Sequence, residues 1–231
     1  MLSSPRVIGL LLLAVPTGMA LALSQFPSYD ARSAHFAASY RSIVDAGSGY
    51  IGALGLFLVL AAVLGALALG LWQSPLQGAT GALWVAIGGL GASAVGFAIA
   101  GISGLPVWWW ARQVADGSLS VAEGVDRSSG LAPISQTALL ILGLGGFLVG
   151  MSALGVAAVV LRWVPRWVFW LTIGLAVVAV AVALATDGPA IWIGFGLLPI
   201  LWAITFGIVL LVRGDFRMRS GRPSDGQTAR P

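Results

Sequence analysis

Six long apolar runs, separated by polar breaks of unequal length, dominate the pattern along this chain. They extend from Val7 to Leu23, Tyr50 to Trp72, Ala79 to Ile102, Ile134 to Leu161, Trp167 to Ala185 and Ala190 to Val212. Each has at least the roughly 17 residues that a helix needs to cross about 30 Å of hydrocarbon. None contains Asp, Glu, Lys, Arg or His. In lipid every backbone polar group must be satisfied within the segment, so such runs predict helices. The pattern therefore predicts an all-α fold, a polytopic transmembrane bundle of six helices spanning residues 1–212.

The breaks between the runs are as informative as the runs. Two are long, Ser24 to Gly49 and Ser103 to Pro133, and three are short turns at Gln73 to Gly78, Arg162 to Arg166 and Thr186 to Pro189. With the N-terminus inside, the cytoplasmic segments hold Arg6, Arg162, Arg166, Arg213, Arg217, Arg219, Arg222 and Arg230, and the outer loops hold Arg32, Arg41, Arg112 and Arg127. Eight against four is the positive-inside bias, so both termini are expected in the cytoplasm. The island Arg162-Trp163-Val164-Pro165-Arg166 is then the middle of three cytoplasmic anchors. Both long loops fall outside, where specific contacts are expected. In the first, Phe36, Tyr40, Ile43 and Val44 recur at near-helical spacing and predict a short helix resting on the bundle or the lipid surface. Residues 213–231 are rich in Arg, Gly, Ser and Pro and read as a disordered basic tail.

Composition supports the pattern and removes whole classes of chemistry. Apolar residues make up 58% and charged residues 9%, against about 25% charged in soluble domains. All basic residues are Arg and sit at run boundaries or in the tail, which fits membrane orientation rather than nucleic-acid binding. With no cysteine there is no disulfide, thiolate nucleophile or iron–sulfur ligation. With no lysine there is no Schiff-base chemistry, and one histidine excludes paired-His haem ligation within the chain. The Arg, Ala and Gly bias fits a GC-rich bacterial genome, hence a bacterial inner membrane. The first run also has features of a signal peptide, with Arg6 before an apolar core and Ala20-Leu21-Ala22 after it. Its long core favours a retained helix.

Each candidate site has a plain structural counterpart. His35, near Asp30 and Asp45, offers too few ligands for zinc, which takes three or four donors. Trp108, Trp109 and Trp110 fit headgroup-level anchoring just outside the third helix, as do Trp72, Trp84, Trp163, Trp167 and Trp192, although three adjacent indoles also suit stacking on a ring-shaped ligand. Pro199, with Gly194 and Gly196, has the composition of a broken helix lining a substrate site, or of an ordinary kink. Asp116, Glu123 and Asp126 read as a solvated loop rather than a calcium site. Small residues recur every fourth position at Gly88, Ala92, Gly96 and Ala100, at Gly146 and Gly150, and at Ala62, Ala66 and Gly70. This pattern supports close helix packing within the chain or between copies.

The layout resembles the DUF4386-type family of uncharacterised bacterial six-helix membrane proteins. The likeness rests on Leu161-Arg162-Trp163-Val164-Pro165-Arg166, on Leu198-Pro199 through Leu211-Val212-Arg213-Gly214, and on Ser39-Tyr40-Arg41 in the first long loop. Trp108 to Trp110 and the Arg-rich tail depart from that pattern. The resemblance implies six helices and no known reaction. Intramembrane carboxylates and bases, the usual parts of pumps and membrane hydrolases, are missing from the runs. The expectation is a protein without enzymatic activity or cofactor, a scaffold, accessory or sensory subunit in contact with membrane lipid and a protein partner or a second copy. The alternative is a small permease or a carrier of lipid or another hydrophobic ligand.

Overall fold

The computed structural model describes residues 4–27, 29–31, 36–74, 81–161 and 190–213 together with positions 167, 170 and 174; for 190–199 and 213 only the backbone is described. Every element among these residues is helical. In chain order they are α1 (Pro5–Gln25), α2 (Phe36–Trp72), α3 (Gly81–Ala115), α4 (Val121–Ser128), α5 (Leu131–Thr137), a π-helical segment (Ala138–Gly145), α6 (Gly146–Val160) and α7 (Ala190–Arg213). Four helices are long and apolar enough to cross a membrane: α1, α2, α3 and the continuous stretch Leu131–Val160. The expected sixth span coincides with α7. The fifth span, the 162–166 island and the tail fall outside the described residues, apart from helical positions 167, 170 and 174.

Two helices are longer than the apolar runs predict. At 35 residues, α3 extends about 52 Å at 1.5 Å per residue, some 20 Å beyond a hydrocarbon core, whereas the 37 residues of α2 are divided by a kink at Gly47 and the part after it extends about 37 Å. The short helix expected over Ser33 to Val44 exists from Phe36, the first of its described residues, as the outlying part of α2, joined to the apolar part through a bend at Gly47. Gly47 has φ +49° and ψ −117°, a region that residues with a Cβ rarely enter. The long loop 103–133 is likewise not a loop. The third helix runs on through Pro106 to Ala115, and α4 and the start of α5 occupy most of the remainder.

The helices close into a circuit: α1 packs on α2 and α7, α3 on α2 and α6, and α6 on α7. Glycines set two of these contacts. Between α1 and α7, a Cβ on Gly9 would stand 2.8 Å from the Gly207 carbonyl, and one on Gly207 would stand 2.9 Å from the Gly9 carbonyl. Between α3 and α6, a Cβ on Gly89 would stand 2.6 Å from Gly150 N and one on Gly146 2.8 Å from the Gly89 carbonyl, and between α3 and the π-helical segment one on Gly96 would overlap the backbone of Gly143 and Leu142. With little hydrophobic drive between helices in lipid, backbone approach through small residues supplies the van der Waals contact. The stripe on α3 therefore comprises Gly89, Ser93, Gly96 and Ala100. Gly88 is exposed with nothing within 4 Å of a Cβ, so the expected register is corrected by one residue at its start.

Candidate functional site

The part of α2 before Gly47 and the end of α3 past Ile102 converge with α4 and with residues 26, 27 and 29–31 into a cap, and most of the polar chemistry gathers there. The α4 helix begins with a capping box. Ser120 Oγ accepts from Glu123 N–H at 3.3 Å, while the Glu123 carboxylate accepts from Ser120 N–H at 2.9 Å and from its hydroxyl at 2.7 Å. These bonds hold the Glu123 carboxyl below the usual carboxylate range. The sequence carried this signal as Ser-x-x-Glu before an apolar turn. Glu123 is solvated as expected, but it stands in the first turn of a helix and not in a loop.

One face of the cap is an aromatic stack. Phe26 lies 5.6 Å from Tyr50 and 5.4 Å from Phe57, Tyr29 lies 6.2 Å from Phe36, Phe36 5.7 Å from Tyr40, and Phe57 5.5 Å from Phe97. The phenols differ in how they are satisfied. Ser128 Oγ donates to Tyr40 Oη at 3.3 Å, and Gly124 is small because a Cβ there would sit 3.0 Å from Tyr40 Oη. Tyr29 Oη and Tyr50 Oη are buried without a hydrogen bond of good geometry, although they approach each other, and Tyr29 approaches Ser135, closely enough to interact. Burial pushes the Tyr29 hydroxyl above the ordinary tyrosine range, with Tyr50 and Ser135 opposing the shift. Leaving a buried hydroxyl unpaired costs about 1–3 kcal/mol.

The polar amide of Gln136 closes this face. It accepts from Ala31 N–H at 3.0 Å and donates to the Tyr29 carbonyl at 2.8 Å, across more than a hundred residues of chain. Two neighbouring hydroxyls serve backbone carbonyls instead. Ser135 donates to Ala100 at 2.9 Å, and Ser93, fully buried, donates to Gly143 within the π-helical segment at 2.6 Å.

The candidate contact residues are placed as follows among the described residues. Trp108, Trp109 and Trp110 lie inside α3, not beyond its end as expected, because that helix continues past the apolar run. Trp108 is half-buried and donates to the Gly47 carbonyl at the α2 bend at 3.2 Å, and the Arg112 guanidinium sits 5.8 Å above its ring. Trp109 is 51% exposed and Trp110 is half-buried on another face. The Trp108 and Trp109 rings lie 6.3 Å apart and tilted by 53°. Arg112 also pairs with Asp116 at 3.8 Å, both well exposed, a contact worth little in solvent. His35 lies outside the described residues. Pro199 lies within α7, which continues helically through Gly194, Gly196 and Pro199. Among the described residues no group of three or more His, Cys, Asp or Glu is placed to hold a metal ion.

An apolar groove of about 390 Å³ lies beside the π-helical segment, lined by Ile99, Pro133, Ile134, Thr137, Ala138, Ile141 and Leu142. Ile134 and Ile141 are exposed along it. Comparison with protein-family models, curated proteins and solved structures finds no match for this chain.

Proposed function

We propose that the chain is a non-enzymatic accessory or sensory subunit of a membrane assembly, acting through the cap. The observation that carries this reading is how the polar groups are distributed. Within the bundle, Ser93 is fully buried and bonded to Gly143, and glycine contacts bring α3 and α6 together at backbone distance. In the cap, capped, aromatic and charged groups stand on the end of α3 past its apolar run, on the part of α2 before Gly47 and on α4. A carrier needs a polar-lined path, and a docking subunit needs an ordered extramembrane surface.

The finer architecture belongs to the same proposal. It comprises six spans with both termini cytoplasmic and the cap outside, residence in a bacterial inner membrane, and a DUF4386-like layout. The arginine distribution supports the orientation. A cysteine placed at Val164 is expected to resist labelling by an impermeant reagent from outside. One at exposed Ser118 is expected to label.

The second reading, a carrier of lipid or another hydrophobic ligand, is favoured by the apolar groove beside the π-helical segment. Affinity purification with mass spectrometry separates the two. Recovery of one protein at fixed stoichiometry, lost when exposed cap residues such as Trp109 and Asp126 are replaced, supports the accessory reading. Recovery of one lipid class without a protein, lost on Ile141→Trp, supports the carrier.

A further inference from the structure

The exposed side of α3 carries its own depth scale. Gly88, Val95 and Ile102 are exposed at every seventh position, and the exposed indoles of Trp84 and Trp109 stand at the two ends of this stripe. The indoles are 25 residues apart (109 − 84), about 37 Å along the helix. That matches the spacing of the two headgroup layers, since a hydrocarbon core of about 30 Å measures about 40–45 Å with both layers included. Indoles concentrate at headgroup level, so the cap-side headgroups fall at Trp109 and Trp110, and the bilayer midplane falls near Gly96 and Phe97.

The apolar groove opens beside this stripe. Its α3 wall, Ile99, is about 40° round the helix from Val95, and Trp110 stands about 16 Å above Ile99 and only about 20° from it. The opposite wall runs from Pro133 to Leu142. Two hydrogen bonds fix its level: Ser135 Oγ donates to the Ala100 carbonyl near the upper end, and Ser93 Oγ donates to the Gly143 carbonyl at the lower end. At 1.5 Å per residue the groove therefore runs from about 11 Å to about 23 Å below the indoles. That is the inner part of the cap-side leaflet and the midplane, where the surroundings are the methyl-terminal halves of acyl chains rather than water. The lining is apolar apart from Thr137, and the volume of about 390 Å³ lies within the usual range of ligand sites. In hydrocarbon the drive to fill such a groove is van der Waals contact.

We propose that the groove seats the methyl-terminal half of one acyl chain from a phospholipid of the cap-side leaflet, with the glycerol and headgroup of that lipid at Trp110. This goes beyond the accessory-subunit reading and does not depend on a protein partner. With the headgroup about 11 Å or more above the groove, the site selects by the length and shape of the chain and not by the headgroup.

The test uses the full-length protein in phosphatidylcholine nanodiscs that contain a trace of photoactivatable phosphatidylcholine, its diazirine either near the methyl end or next to the carbonyl of one chain. Cross-links are located by mass spectrometry. Exposed Val59 on α2 is the reference, because its neighbour Leu58 lies against Gly101 of α3 and so shares the depth of the groove on an open surface. The methyl-end probe is expected to label Ile134 to Leu142 about threefold or more above Val59, and the carbonyl probe to label Trp109 and Trp110 instead. Ile141→Trp and, separately, Ile134→Trp should bring groove labelling down to the Val59 level and leave Val59 unchanged; if one variant fails to fold, the other carries the test. Equal labelling of the groove and Val59 in the wild type would mean ordinary boundary lipid only and overturns the site. Groove labelling that survives both substitutions overturns it, as does labelling of the groove by the carbonyl probe. A disulfide-linked dimer of the otherwise cysteine-free Ile141→Cys protein in its own membrane would give the groove to a second copy and overturn the site as well.

Discussion

Replacing Gly96 by alanine probes the tightest helix contact described. The added methyl would overlap the backbone of Gly143 and Leu142, neither of which can rotate away as a flexible side chain would. Relief requires α3 and the π-helical segment to part, and overpacking of this kind costs about 1–3 kcal/mol. Parting also stretches the bond from Ser93 to Gly143, now 2.6 Å, and interhelical bonds in membranes average about 0.6 kcal/mol with a maximum near 1.7. Against these stands the backbone gain of Ala over Gly in a helix, roughly 0.5–1 kcal/mol. The balance is a destabilisation of about 1–3 kcal/mol by the same principles. Gly88→Ala, about two turns away on an open face, carries only the gain and should be neutral or slightly stabilising. Reversible unfolding by detergent titration, read by tryptophan fluorescence, measures both. The Gly96→Ala and Ser93→Ala pair should be less than additive, since one displacement removes both contacts. Equal stability of the Gly96→Ala and Gly88→Ala proteins, within about 0.5 kcal/mol, would refute the seam.

Three further perturbations test other parts of the fold. Gly47→Ala forces a Cβ into φ +49° and should cost about 1–2 kcal/mol, seen as faster proteolysis of the 36–46 part of α2 before global unfolding. Tyr50→Phe removes a buried hydroxyl without a hydrogen bond of good geometry, so detergent titration should find it as stable as the wild type or more so; a clear loss would mean that the hydroxyl is bonded. Glu123 has its folded-state pKa depressed by the Ser120 bonds, so its capping contribution is present above the ordinary carboxylate range and lost as pH falls through the lowered value. Amide exchange in the first turn of α4 should therefore lose its protection at a lower pH in the wild type than an unperturbed carboxylate would give; a first turn of equal protection in Glu123→Gln across the acid range would contradict the capping box.

The apolar runs located the helices because burial in lipid is written in composition. They misplaced the ends because a helix does not stop where hydropathy falls. After Ile102 the ladder continues, with Ser103 Oγ donating back to Ile99 and Trp108 reaching across to Gly47. The α3 stripe shows a second limit. At about 100° per residue, a strict four-residue spacing drifts roughly 40° per step, so Gly88 and Ala100 lie about 120° apart, whereas Gly89 and Ala100 differ by only about 20°. Helical geometry already favoured the observed register over the visible repeat. The Gln136 bonds to Tyr29 and Ala31 were not legible, since no local pattern links residues a hundred positions apart. The capping box at Ser120 and Glu123 was legible, but the surrounding polar stretch hid it.

The pairing of Gly9 with Gly207 carries a consequence for biogenesis. These two residues are 198 positions apart (207 − 9), so at about 5–20 residues per second the last helix is made roughly 10–40 s after the first. Throughout that interval the glycine face of α1 stands in the bilayer without its mate. Closure of the circuit is then a late quality checkpoint: a chain stalled before α7 presents an unpaired small-residue face that a membrane chaperone or protease can recognise.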